Sequence, residues 1–209
     1  MVNDHGPSGQ NRDDVAPRRP RSLDSVDLEL VSMTTGFLET MLDRQGQPDV
    51  QFDGVTLWEG WTASDRPGIA FRLAQLRAMP ELLGWLMYAI VRRSDGQMVG
   101  HVGFHGTPGL HTLGDLVPDA LEIGYSVFPP FRRNGYASAA VKALIQWANI
   151  DRGITFFVAS INHENGASQG VATKAGFKFW VQKSSRQIPG LGFGVSFAVP
   201  KRGKNVRGN

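Results

Sequence analysis

The sequence predicts a single α/β (α+β) domain, with a mixed, mostly antiparallel central sheet of about seven strands and helices on both faces. Three observations carry this. Strand-like and helix-like segments follow one another as β-α-α-β-β-β-α-β-α-β-β. Ser94-Asp95-Gly96-Gln97 forms a tight turn between two strands, which fixes an antiparallel pair. Further on, a strand, a long helix and another strand require a parallel crossover.

The elements follow in order. Asp27–Thr34 reads as a first strand, with Leu28 and Leu30 alternating with polar positions. Gly36–Leu42 reads as a short helix. Residues 45–67 are dominated by turn formers, with Trp58 and Trp61 outside any periodic pattern. Ile69–Met79 reads as a helix stopped by Pro80, with Phe71 expected to pack inward. Trp85–Arg92 and Met98–His105 are the two arms of the hairpin, and residues 106–118 a Gly/Pro-rich loop. Ala120–Phe128 is the next strand, ended by Pro129-Pro130. Residues 133–149 form a helix with Ala137, Val141, Leu144, Ile145 and Ala148 on its apolar face. Ile154–Ser160 is a β-branched and aromatic strand. Ala167–Lys174 is a helix closed by Gly176. Phe177–Gln182 and Phe193–Val199 complete the sheet, the latter as an edge able to pair between subunits, so that monomer and homodimer are both open.

At 209 residues, 41% hydrophobic and 20% charged, the chain holds one ordinary core and is not globally disordered. The domain is expected at 23–200, with a disordered tail at 1–22 and a basic tail at 201–209. There is no cysteine, which excludes disulfides, thiolate zinc sites and cysteine nucleophiles. No apolar run approaches the roughly 20 residues that span a bilayer, and the polar N-terminus lacks a signal-peptide core. A cytoplasmic protein without membrane contact is expected. The net charge of +3 is misleading. Lys201, Arg202, Lys204 and Arg207 make the C-terminal tail strongly basic, while the body between the tails is slightly acidic. This argues against a nucleic-acid surface, since phosphate tracking needs a basic surplus on the folded body.

The informative segment is 121–137, a strand, a short turn and a helix start. First-turn amides have no helical acceptor and sit at the positive end of the macrodipole, so they can take a phosphate. Gly135 and Ala137 let an oxyanion approach the main chain, and Arg132 and Arg133 add positive charge. The chain has neither GxxxxGK[ST] nor GxGxxG. On the strand, Glu122, Gly124 and Ser126 share one face, an odd set for a buried core. His101 and His105 share a strand face and His111 follows, but no Asp or Glu lies between 96 and 114, so no metal site is expected.

Arg132-Arg133-Asn134-Gly135-Tyr136-Ala137 resembles the acyl-CoA signature of the GNAT acetyltransferase superfamily, Gln/Arg-x-x-Gly-x-Gly/Ala. Glu122-Ile123-Gly124-Tyr125, Ala159-Ser160-Ile161, Asn165-Gly166-Ala167-Ser168 and Lys174-Ala175-Gly176-Phe177 extend the likeness, which is specific over about 85–183 and loose over 23–84. Together they resemble the branch containing ribosomal-protein N-terminal acetyltransferases. The resemblance implies that acetyl-CoA lies where two parallel strands splay, here 120–128 and 154–160, with its pyrophosphate on the amides of Arg132, Arg133, Asn134, Gly135, Tyr136 and Ala137. Main-chain groups near Val127 would meet the pantetheine, and the N–H of Val127 or Phe128 would face the thioester oxygen. A primary amine, either a protein N-terminus or a small molecule, would attack directly in a ternary complex.

Glu122 would serve either as the base or as a binder of the ammonium. The tyrosine that many members place on the helix after the second strand is Ala172 here, which leaves Ser168 as the candidate acid or a first-turn hydroxyl. Asn165 would contact pantetheine or cap the helix. Trp58, Trp61, Asp115, Asp119 and His163 are candidates for the acceptor mouth. The missing tyrosine also leaves open a non-catalytic acyl-CoA-binding domain.

Overall fold

The computed structural model describes residues 26–44, 46–48, 50–61, 65–108, 120–180 and the backbone of 194–199. The tails expected at 1–22 and 201–209, the part of the loop that carries His111, Asp115 and Asp119, and residues 184–192 lie outside these. The elements are β1 (Leu28–Ser32), α1 (Thr35–Asp43), β2 (Gln51–Phe52), β3 (Val55–Thr56), α2 (Arg66–Ala78), β4 (Tyr88–Arg92), β5 (Gln97–Phe104), β6 (Leu121–Val127), α3 (Tyr136–Arg152), β7 (Phe157–Asn162), α4 (Gly166–Lys174), β8 (Lys178–Trp180) and β9 (Gly194–Val199).

The strands are ordered β1-β4-β5-β6-β7-β9-β8, with β2 and β3 attached beside β5. Along this path, all pairs are antiparallel except β6 with β7. The expected edge at 193–199 is therefore an interior strand: β9 lies between β7 and β8, and β8 takes the edge.

Two cores form, one on each side of the sheet. Strand β4 is buried on both faces, sending Tyr88 and Ile90 one way and Ala89 and Val91 the other. The first core packs under α3 and α4 through Val141, Leu144, Trp147 and Ala172. The second packs under α1 and α2 through Phe37, Leu38, Ile69, Leu73 and Leu76. Trp147, absent from the apolar face read from spacing, anchors α3 against Tyr88 and Trp85, with ring centroids 5.9 and 6.3 Å away.

Several boundaries differ from the sequence expectation for local reasons. Helix α2 starts three residues early because Pro67 sits in its first turn, where a missing N–H costs nothing. With Ile69, Leu73 and Leu76 turned inward, Phe71 points outward and is 59% exposed, contrary to the packing expected of it. Trp61 is buried, and Trp58 lies against Phe128 at 4.9 Å, so both tryptophans are packing residues. The β2–β3 hairpin, read as turn, is closed by Asp53 and Gly54, both at positive φ (50° and 78°). Two left-handed residues in a two-residue loop match the right-handed strand twist. Because nothing lies near the position of a Cβ at Gly54, Gly54→Ala isolates backbone strain. It is expected to cost about 1–2 kcal/mol, read as a drop of a few degrees in Tm.

A β-bulge decides which side chains reach the site. The β4–β5 register shifts between Ile90 and Val91, whose partners are Gly100 and Met98. Val99 is thus an extra residue. Val99 and Val102 both enter the first core, three residues apart, which a regular strand does not allow. After the bulge, His101, Gly103 and His105 face the α2 side.

Candidate functional site

The site begins with the direction of the main-chain groups of β6. In an antiparallel ladder, alternate residues turn their N–H and C=O toward the same neighbour. Glu122 accepts from the His105 N–H (2.9 Å) and Phe128 donates to the Val99 carbonyl (2.9 Å), so residues 122, 124, 126 and 128 face β5. Residues 121, 123, 125 and 127 face β7, as the Leu121 N–H bond to the Phe156 carbonyl (3.1 Å) shows. Yet the β6–β7 pairing stops at Glu122 and Val158. Beyond it the strands diverge, and the main-chain groups of Tyr125 and Val127 point into the gap. Of the two amides expected to meet a thioester oxygen, that of Val127 faces the gap, whereas that of Phe128 is bonded to the Val99 carbonyl of β5. The Val127 carbonyl already accepts from Arg132 Nε (2.9 Å), so this arginine braces the turn between β6 and α3.

The turn is held in a strained shape. Arg133 and Gly135 have φ of 65° and 79°, and helix α3 consequently starts at Tyr136 rather than 133. A non-glycine residue in the left-handed region costs about 1–2 kcal/mol and persists where surroundings enforce it. Asn134 supplies such enforcement: its side-chain nitrogen donates to the carbonyls of Phe131 and Arg132, each at 3.1 Å. The first helical bond of α3 runs from the Ala139 N–H to the Gly135 carbonyl, and no side chain caps the helix. The amides of Tyr136, Ala137 and Ser138 therefore precede the ladder. The other helix of the same face differs. In α4 the Asn165 side chain accepts from the Ser168 N–H at 3.0 Å. The cap role of Asn165 is thus filled by its oxygen, and its carbonyl accepts from Gln169.

Ser168 stands on the first turn of α4, and its carbonyl accepts from the Tyr125 hydroxyl at 2.7 Å. This contact ties the diverging strand to α4 across the gap. Burial pushes the Tyr125 phenol up to about 12, against a smaller opposing effect of the Ser168 bond. Ala172 is fully buried among first-core residues.

On the opposite face of β6 lies a cavity of about 410 Å³, walled by Asp65, Gly68, Ile69 and Arg72 of the α2 segment, Leu86 and Met87, and the inward face of β5 and β6. Glu122 is 1% exposed, and its Oε2 lies 3.3 Å from His105 Nδ1. A Cβ built on Gly124 would come 2.7 Å from His105 Nε2, so the imidazole lies over the strand at that glycine. Arg72 donates to Gln75 Oε1 (2.6 Å) and to the His105 carbonyl (3.3 Å). Burial lowers the Arg72 pKa, and the Glu122 carboxylate partly restores it.

Arg72 and Asp65 were not among the residues singled out in the sequence. His101 and His105 were weighed only as metal ligands. Among the described residues no group of three or more His, Asp or Glu is arranged to hold a metal ion. His163 is exposed beside Glu164, at the start of α4.

His101 gives a pH test of the cavity wall. Burial holds its pKa below the ordinary value, with Asp65 opposing and Arg72 adding to the shift. The unfolded chain then binds a proton more readily than the folded one. The contribution to stability is complete above about pH 6.5 and is lost as pH falls through the lowered folded value. Thermal melts are expected to show a lower Tm at pH 5 than at pH 7.5. His101→Gln should shrink that difference, and an unchanged difference would remove His101 as its cause.

Comparison with known proteins bears on this geometry. The GNAT acetyltransferase domain model matches residues 28–178. The curated protein YjdG of Bacillus subtilis, an uncharacterized N-acetyltransferase, is 31% identical over 94 residues, covering 45% of this chain and 52% of that protein. The chain thus spans about half the length of the curated relatives it matches. Among solved structures, the ribosomal-protein-S5-alanine acetyltransferase from Vibrio fischeri superposes with a TM-score of 0.59 at 15% identity, over 87% of this chain and 97% of that one. RimL, a ribosomal L7/L12 alpha-N-protein acetyltransferase in complex with coenzyme A, gives 0.55 at 20% identity, over 85% and 96%. These structural likenesses carry the fold, and the match over 28–178 carries the family: the chain belongs to the GNAT acetyltransferase domain family.

Proposed function

We propose that this protein is an N-acetyltransferase, moving the acetyl group of acetyl-CoA to a primary amine by direct attack in a ternary complex. The observation that carries it is the continuity of three features along β6. The uncapped start of α3 lies at its C-terminal end, the gap toward β7 lies along Tyr125 and Val127, and the α2-side cavity meets the strand at Gly124 and Tyr125. A pyrophosphate fits the first, a pantetheine the second and an amine the third.

In this reading the amides of Tyr136 and Ala137, with Arg132, Arg133, Asn134 and Gly135 shaping the turn, hold the pyrophosphate. The Val127 N–H stabilises the oxyanion. Phe128 serves by packing against Trp58 rather than by its amide. Asn165 and Ser168 border the pantetheine, and Ser168 protonates the departing thiolate. Glu122 supplies negative charge at the amine site. We take a protein N-terminal α-amine as the first acceptor to try, following the RimL and S5-alanine neighbours, with small amines next.

Titration calorimetry with acetyl-CoA tests the first half, and free-thiol release with peptides ending in alanine or serine, then with small amines, tests the second. Binding with turnover is expected. Binding without thiol release from any amine would favour a non-catalytic acyl-CoA-binding domain, for which the buried Ala172 in place of a tyrosine speaks. No binding at high micromolar acetyl-CoA would sink both readings.

A further inference from the structure

We propose that His105 is the general base that takes the proton from the acceptor amine, and that Glu122 is its positioning residue. This rests on the acetyl-transfer reading above.

Three features of the geometry support it. The bulge at Val99 places His105 on the cavity face, at the end of β5. Its imidazole is oriented at both ends: Nδ1 meets the buried Glu122 carboxylate at 3.3 Å, and Nε2 hangs over Gly124. A carboxylate on Nδ1 holds the proton there and leaves the Nε2 lone pair facing the cavity. Gly124 is also where the cavity meets the gap-lining strand, so an amine reaching a thioester at Tyr125–Val127 passes beside Nε2. Glu122, with 1% exposure beneath this ring, is badly placed to exchange protons with solvent, whereas the His105 side chain is 40% exposed and can do so.

The groups facing His105 are Glu122 from β6 and Arg72 from α2, whose guanidinium holds the His105 carbonyl. Further along the cavity wall are His101 and Asp65. The chemistry balances as follows. His105 Nε2 removes one proton from the ammonium and passes it to solvent. The freed lone pair attacks the thioester carbon, and the N–C bond forms. The second nitrogen proton passes to solvent as the C–S bond breaks, and the CoA thiolate takes a proton from Ser168, which is resupplied by solvent.

The test uses two probe acceptors with acetyl-CoA: glycinamide, largely an ammonium ion near neutral pH, and trifluoroethylamine, whose fluorines leave it largely unprotonated. His105→Gln and His105→Asn are compared with the wild type by calorimetry with acetyl-CoA and by thiol release across pH. Acetyl-CoA affinity is expected to stay within about twofold, while kcat/KM for glycinamide falls by about 100-fold or more and its pH dependence comes to follow the unprotonated fraction of the amine. Loss with trifluoroethylamine should stay under about tenfold, since no ammonium proton needs removal. Glu122→Gln should reproduce the amine-selective pattern at smaller amplitude. Equal losses for both amines, no loss, or a severe Glu122→Gln beside a mild His105→Gln would overturn the assignment. A wild type that fails to bind acetyl-CoA, or binds it and releases no thiol, identifies a failure of the acetyl-transfer reading itself, and the assignment falls with it.

Discussion

Ala137→Glu is expected to abolish acetyl-CoA binding while leaving the free protein as stable as before, or slightly more so. The reason lies in the start of α3. Its first amides precede the helical ladder and no side chain caps them. A carboxylate in that turn answers the macrodipole and stabilises the helix by about 0.3–1 kcal/mol. The same carboxylate occupies the donors that a pyrophosphate would use and repels its charge. A loss of at least about 100-fold in affinity follows, or about 2.7 kcal/mol. Ala137→Gln has the same bulk without the charge and should retain more of the binding. Calorimetry and a thermal melt on the three proteins separate the cases. If Ala137→Glu bound acetyl-CoA as tightly as Ala137→Gln, the pyrophosphate would have to lie elsewhere. Position 137 is preferable to 135 for this purpose, because Gly135 has φ of 79° and any side chain there adds backbone strain.

The parts of this site that could be read from the sequence are those that depend on neighbours in the chain. Strand, turn and helix start follow one another within residues 121–137, so a short signature was enough to point to the proposed cradle. The face shared by Glu122 and Gly124 followed from strand alternation alone. Other features depend on register. Whether Val127 or Phe128 presents its amide to the gap is a question of ladder parity, fixed by the partner of Phe128 on β5. The orientation of His105 depends on the bulge at Val99, two residues after the Ser94–Gln97 turn, and no residue type marks it. Arg72 reaches the site from a helix 33 residues before His105. Its only sequence signal was negative: it lies on the flank of α2 between the buried stripe and solvent, where a charged residue needs no explanation. The placement of β9 inside the sheet likewise depends on β8 adding outside it, which composition does not reveal. The hairpin at Asp53-Gly54 falls in the stretch read only as turn-forming, because its two-residue strands are too short to show alternation.

Gly103→Ala is expected to be the most destabilising single methyl in the cavity wall. A Cβ at Gly103 would run into the Leu86 carbonyl and the Met87 backbone, which close the cavity from the start of β4. That backbone, tied to the end of β1 through the Met33 N–H bond to the Met87 carbonyl, cannot step aside as a side-chain end can. The cost should reach about 3 kcal/mol, near the upper end for overpacking, and lower Tm by about 6 °C or more. Gly124→Ala is the informative contrast. Its Cβ would meet the His105 ring, the mobile end of a side chain, so the ring can swing away at little cost in stability. Swinging away, however, removes Nε2 from the place where the amine arrives. Gly103→Ala should therefore lower Tm with kcat retained at low temperature, and Gly124→Ala should do the reverse. If Gly124→Ala kept full activity toward glycinamide, the position of the imidazole over β6 would have no bearing on proton removal. If Gly103→Ala melted like the wild type, the close approach of Leu86 to β5 would not be a fixed part of the fold.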